Sequence, residues 1–170
     1  LVILASVLFI LNNPIYNFWA GIIVWFALVF DRVDGEIARV KNMVSKLGVW
    51  LDGAFDRVKS FVILASISIN VFQNNSSILI VGLGLLASVS TTMWRLISIY
   101  TQTSFDLPLV AKKPYKPIGL DVGMEYFLIA LAAIFNQLFY LILFFAIVVN
   151  IAWIKNIVFF YFKYRKKFSF

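Results

Sequence analysis

Residues 31–56 read DRVDGEIARVKNMVSKLGVWLDGAFD, and this stretch holds five of the eight acidic residues in the chain: Asp31, Asp34, Glu36, Asp52 and Asp56. It follows an apolar run that begins at Ile15 and leads into another that ends near Phe72. Carboxylates at membrane depth are expensive, and those that persist line a cavity or bind something. The clustering marks the adjoining ends of two helices as the place where chemistry is expected. The flanking runs decide the fold class.

The rest of the chain has the same character. Of its 170 residues 62% are hydrophobic and 14% charged, against roughly 45–50% and 25% in a soluble domain, and the mean hydropathy is +0.93. That leaves too little polar surface to cover a globule in water, so an integral membrane protein is expected. A hydrocarbon core of about 30 Å takes about 20 helical residues to cross. Apolar stretches between polar interruptions then predict an all-α, polytopic membrane protein with six transmembrane helices, forming one membrane domain over residues 1–170. The spans are expected at about Leu1–Leu11, Ile15–Phe30 with the helix continuing past the membrane edge, Val49–Phe72, Ile78–Tyr100, Val122–Phe135 and Leu138–Ile154. The first opens inside an apolar run and is expected to be a truncated span rather than a signal sequence, because no basic leader or small-residue cleavage pattern accompanies it.

Charge sets the orientation. Asn12-Asn13-Pro14, Gln73 to Ser77 and Asn136-Gln137 carry no Lys or Arg, whereas Arg32, Arg39, Lys41, Lys46, Arg57 and Lys59, then Lys112, Lys113 and Lys116, then Lys163, Arg165, Lys166 and Lys167 fill the other connections and the tail. The positive-inside rule puts those basic segments, and with them the acidic stretch, on the cytoplasmic side of a cell membrane. The net charge of +7 is thereby explained by topology, and no nucleic-acid partner is expected. The tail from Phe159 alternates aromatics with Lys and Arg, which suits an interfacial segment.

With no Cys and no His, thiolate nucleophiles, the usual imidazole base and nitrogen or sulfur metal ligation are excluded. Carboxylates remain. At about 100° per residue from Asp31, Asp34, Ala38, Gly35 and Arg39 fall at roughly −60°, −20°, +40° and +80°, one face of a helix. Glu36 falls at about +140° and is expected to be solvated. On the next helix Gly48, Asp52 and Asp56 are spaced by four and share a stripe. Two antiparallel helices then point four carboxylates, Asp31, Asp34, Asp52 and Asp56, across a gap, and so many like charges require a cation between them. An oxygen-only ligand set suits Mg²⁺ or Mn²⁺. Gly35, Ala38 and Gly48 leave room for a ligand close to backbone, and Arg39 offers a fork for phosphate oxygens. Metal, acids and Arg beside a groove form an arrangement for binding a pyrophosphate and transferring a phosphoryl-linked group.

In order, Asp31, Asp34-Gly35, Ala38-Arg39, Gly48, Asp52 and Asp56 match the full spaced signature of the CDP-alcohol phosphotransferase family, which the chain resembles over nearly its whole length. The resemblance implies that Asp31, Asp34, Asp52 and Asp56 ligate the metal, with Asp56 also acting as catalytic base toward the acceptor hydroxyl. It implies that Asp31, Asp34, Gly35, Ala38, Arg39, Ser45 and Gly48 hold the CDP donor, that CMP is released, and that the protein is a homodimer working on membrane lipid. The run Asp34-Gly35-Glu36-Ile37-Ala38-Arg39, Ser45-Lys46, Trp50-Leu51-Asp52 and Asp56-Arg57 look like the archaeal-type members that transfer inositol phosphates. That branch places Arg on either side of an Asp at the fifth span, where this chain reads Leu120-Asp121-Val122-Gly123. The implied donor is a CDP-lipid or CDP-inositol and the acceptor an inositol phosphate; the alternative is a phosphatidylglycerophosphate-type synthase with another small alcohol.

Arg57, directly after Asp56, and Arg95, inside a span, are candidates for binding an anionic acceptor. Lys112, Lys113 and Lys116 are expected to anchor the membrane edge, and Glu125 or Asp121 to pair with a buried Arg. Val81-Gly82-Leu83-Gly84 reads as close helix packing. A reading from another class, a divalent-cation transporter with a carboxylate transit site, gives no reason for Gly35, Ala38 and Gly48.

Overall fold

The computed structural model describes residues 1–41, 45–104 and 122–164. Every regular element among them is helical, as the apolar pattern predicts: α1 (Val2–Ile10), α2 (Pro14–Val40), α3 (Lys46–Asn75), α4 (Ile78–Ser104), α5 (Val122–Ile134), α6 (Leu138–Phe144), a π-helical segment (Phe145–Val149) and α7 (Asn150–Tyr164). Pro14–Val40 and Leu138–Phe159 are long and apolar enough to cross a membrane. Large apolar side chains such as Trp19, Phe26, Leu79, Leu85 and Ile151 point outward, which a membrane protein turns toward lipid.

Local chemistry explains the element ends. Asn13 Oδ1 accepts from the Ile15 amide at 2.8 Å and Pro14 opens α2, so an N-cap and a proline without a donor to waste start the helix together. Ser45 Oγ accepts from the Gly48 amide at 2.9 Å to cap α3. The tight turns each contain one left-handed residue, Asn12 (φ 51), Ser76 (φ 48) and Asn136 (φ 54). Asparagine is among the few side chains that adopt this conformation at modest cost.

Packing follows the small residues. α2 lies along α5 and α3 along α4, while α1 touches both α2 and α3. A Cβ on Gly21 would meet Ala130 O at 2.9 Å and Ala133 Cβ at 3.0 Å, and one on Gly84 would meet Ser68 Cβ at 2.6 Å. Gly84 is therefore the packing glycine that the sequence leads one to expect, whereas Gly82 has nothing within 4 Å. Phe9, Val24, Ile63, Leu64, Ile67, Ile129, Ile142 and Phe145 fill the centre. At the first residue of the π-helical segment, Ser90 Oγ of α4 donates to Phe145 O at 3.1 Å. Helix irregularities at membrane depth need such a polar neighbour.

At the end that holds the tight turns, asparagines join the helices. Asn12 and Asn74 exchange hydrogen bonds of 3.0 and 2.8 Å. Asn70 Nδ2 donates to Phe9 O at 2.7 Å and to Asn17 Oδ1 at 3.1 Å, and Asn17 Nδ2 to Asn136 Oδ1 at 2.8 Å. The acidic residues lie at the opposite ends of α2 and α3.

Candidate metal centre

Helical periodicity brings the acids together. Asp31 projects from α2, and Asp52 and Asp56, one turn apart, project from α3; one oxygen from each lies within 4.8 Å of the others. Asp56 is buried at 8% exposure, while Asp52 is open and Asp31 intermediate. Exposure is therefore graded across the group, with Asp56 the deepest carboxylate and Asp52 the most open. Three carboxylates with no nitrogen or sulfur donor fit a hard divalent ion.

A cation of the protein's own already reaches this cluster. Lys59 Nζ donates to Asp31 Oδ1 at 2.9 Å and to Asp56 Oδ1 at 3.2 Å. Lys59 follows Asp56 by three residues and Asp52 by seven, so all three share one stripe of α3. That spacing is visible in the sequence, where Lys59 reads either as a membrane-edge anchor or as part of a pocket for an anionic acceptor, and not as a partner of the acids. Ser60, four residues after Asp56, and Tyr126 on α5 are buried, and among the described residues neither hydroxyl has a hydrogen-bond partner. Neither Ser60 nor Tyr126 stands out in the sequence, because hydroxyls inside a span are common helix-packing groups.

Other expected site residues take separate places. Asp34 is exposed on α2 and is not one of the three clustered acids. Gly35 is open: a Cβ there would meet only Arg39 Nη2, at 3.7 Å. Ala38 is intermediate and Gly48 exposed. Ser45 serves as the cap of α3, and a Cβ on Gly48 would approach its Oγ at 3.0 Å, so the small residue keeps the cap geometry. Arg39 pairs with Glu36, Nη2 to Oε1 at 2.6 Å, both at the surface. The hydrogen bond and the charge of Arg39 hold the Glu36 carboxyl below its usual range. Arg57 Nη1 donates to Gly53 O. Arg95 belongs to α4, but its side chain lies outside the described residues, as do Lys112, Lys113, Lys116 and Asp121. Leu28, Val29, Arg32, Val33, Gly123 and Met124 line an open hollow between α2 and α5.

The family model for CDP-alcohol phosphatidyltransferases matches residues 1–161. The chain belongs to that family. The family uses a CDP-alcohol donor and an alcohol acceptor. A phosphatidylinositol phosphate synthase of Mycobacteroides abscessus is 36% identical over 50 residues, 29% of this chain and 23% of that protein. An archaetidylinositol phosphate synthase of Pyrococcus horikoshii is 40% identical over 67 residues, 39% of this chain and 34% of the relative. A bifunctional IPC transferase and DIPP synthase of Aquifex aeolicus is 33% identical over 51 residues, 30% of this chain and 12% of the relative. The chain thus spans about a third or less of the length of each curated relative it matches.

Proposed function

We propose that this CDP-alcohol phosphatidyltransferase family member transfers a phosphoalcohol group from a CDP-alcohol, a CDP-lipid or CDP-inositol, to a hydroxyl of an inositol phosphate and releases CMP. The observation that carries the reading is the convergence of Asp31, Asp52 and Asp56 at the end of α2 and α3 where the spaced signature lies. The family match and relatives named for inositol phosphate chemistry support it.

In the proposed reaction the acceptor hydroxyl gives its proton to the Asp56 carboxylate, its oxygen forms a bond to the phosphorus carrying the donor's alcohol, and the bond from that phosphorus to the CMP oxygen breaks. Asp31, Asp52 and Asp56 would hold Mg²⁺ or Mn²⁺, and Asp34, which stands outside the cluster on the next turn of α2, would have to turn toward it to join them. Such an ion supplies charge neutralisation at the pyrophosphate. Gly35, Ala38, Gly48 and Ser45 keep the groove low enough for the cytidine nucleotide, and Arg39 leaves Glu36 for a phosphate oxygen. Arg57 and Arg95 bind the acceptor's phosphate. The same reading includes six spans with the site on the cytoplasmic side, a homodimer and a lipid substrate.

The test follows CMP release from protein in liposomes with Mg²⁺ or Mn²⁺, each CDP donor, and a panel of inositol phosphate, free inositol and glycerol 3-phosphate. Release that needs the inositol phosphate and disappears in Asp56→Asn supports the reading. Release with glycerol 3-phosphate alone overturns the acceptor assignment, and cation flux without any CDP compound overturns the enzyme.

A further inference from the structure

Lys59 lies one turn deeper along α3 than Asp56 and sends its ammonium back to the carboxylates, 2.9 Å from Asp31 Oδ1 and 3.2 Å from Asp56 Oδ1. The Lys59 side chain is 30% exposed and that of Asp56 only 11%, so the ammonium lies against the most buried carboxylate of the cluster. Three carboxylates this close repel one another strongly when poorly solvated, and one ammonium offsets part of that charge. The bond from α3 to Asp31 also ties α3 to α2, two helices that meet here through side chains.

We infer that Lys59 is the resident counter-cation of the carboxylate cluster and that a divalent ion must displace it from Asp31 and Asp56 in order to bind. The inference rests on the proposed metal site. A divalent ion at carboxylate bonding distance would lie within a few ångströms of the ammonium, and two cations cannot share those oxygens without strong repulsion. The four-carbon stem of lysine lets the ammonium swing away at little cost, which a guanidinium fork or a fixed dipole would not permit. The displaceable lysine therefore weakens metal affinity and keeps the metal-free site folded. Loading of the site is coupled to movement of a single side chain.

The experiment measures Mn²⁺ binding by electron paramagnetic resonance of the free ion, with the full chain in nanodiscs, for wild type, Lys59→Met, Lys59→Gln, Lys59→Arg and Asp56→Asn. With the competitor gone, Lys59→Met and Lys59→Gln bind Mn²⁺ roughly three- to tenfold more tightly, as expected from losing a partly exposed ion pair. Lys59→Arg, which keeps the charge, does not gain affinity. Thermal unfolding supplies the second readout: the neutral variants melt lower without metal and gain more from added Mn²⁺ than wild type does. A lysine with only a structural role would lower the melting temperature and leave affinity unchanged. Unchanged or weaker Mn²⁺ binding in both neutral variants, while Asp56→Asn has lost binding, overturns the inference and leaves the metal site standing. Undiminished Mn²⁺ binding by Asp56→Asn overturns the metal site itself, and the inference with it.

Discussion

Asn70 Nδ2 donates to Asn17 Oδ1 at 3.1 Å, and this bond lies fourteen residues along α2 from Asp31 and fourteen along α3 from Asp56. At about 1.5 Å per residue both helices run about 21 Å from the asparagine pair to the acids. The two antiparallel helices thus hold one register at both ends, polar amides at one and carboxylates at the other. Asn70 also satisfies Phe9 O, and Asn17 continues to Asn136.

Loss of that register is expected to reach the acids. Asn70→Leu and Asn17→Leu each remove two hydrogen bonds inside the bundle, each bond worth about 0.6 kcal/mol and at most about 1.7 within a membrane protein. Both variants should melt lower in detergent and bind Mn²⁺ more weakly. Asn75, whose amide donates to Val71 O on its own helix, is the control, and Asn75→Ala should change neither quantity. An Asn70→Leu protein with wild-type Mn²⁺ affinity would show that the site keeps its geometry without the distant amides.

The two glycines of α4 should behave oppositely. A side chain at Gly84 runs into Ser68 Cβ at 2.6 Å, so Gly84→Val forces α3 and α4 apart and should destabilise by about 1–3 kcal/mol, the usual cost of overpacking. Gly82 faces open space, and Gly82→Ala should lie within about 0.5 kcal/mol of wild type or gain from the better helix former. Parallel thermal melts with lipid held constant decide between them.

Removing the proposed base, which is also a proposed metal ligand, should stop the chemistry. General base catalysis contributes about 10²–10⁴-fold, and Asp56 is also a proposed ligand, so Asp56→Asn should lower kcat by at least about a hundredfold. Asp52→Asn should chiefly raise the Mg²⁺ concentration needed for half-maximal rate, since Asp52 is the most open carboxylate of the cluster. Chelation of divalent ions should abolish CMP release, and added Mg²⁺ should restore it.

The Glu36–Arg39 pair gives a pH test with a definite sign. Arg39 holds the folded-state carboxyl of Glu36 below its usual range. The pair's contribution is therefore present above the unfolded carboxylate value and is lost as pH falls through the lower folded one. Glu36→Gln should melt slightly below wild type near neutrality, with the gap closing as the pH falls below the usual carboxylate range. Arg39→Ala should raise KM for the CDP donor by about tenfold with little change in kcat, the scale of a lost charge-assisted bond. A kcat effect from Arg39→Ala without a KM effect would assign Arg39 to the transition state rather than to donor binding.

Much of this architecture is legible from residue order. The ends of α2 and α5 follow apolar runs and strong local signals, Pro14 after Asn13 and the turn at Asn136, because caps and turns are short-range chemistry. The stripe Asp52–Asp56 is legible because helix periodicity is local. The contact of Lys59 with Asp56 is equally legible from its spacing, yet a lysine near a membrane edge also reads as a topological anchor or as a group for an anionic acceptor. Gly82 and Gly84 show the limit: two glycines two residues apart look alike in sequence, and only the position of α3 makes one indispensable to packing and the other free.

By itself the sequence determined an all-α membrane protein, the family signature, and the faces on which Asp31, Asp52 and Asp56 stand, since hydropathy, spacing and periodicity act within one helix at a time. Tertiary structure alone decided that three acids converge while Asp34 stands apart, that Lys59 bridges α2 and α3, and that Asn17 and Asn70 share a bond. Those facts depend on the rotation and register of one helix against another. These are set by the summed packing of distant side chains such as Gly21 on Ala133 and Gly84 on Ser68, and no single segment encodes them.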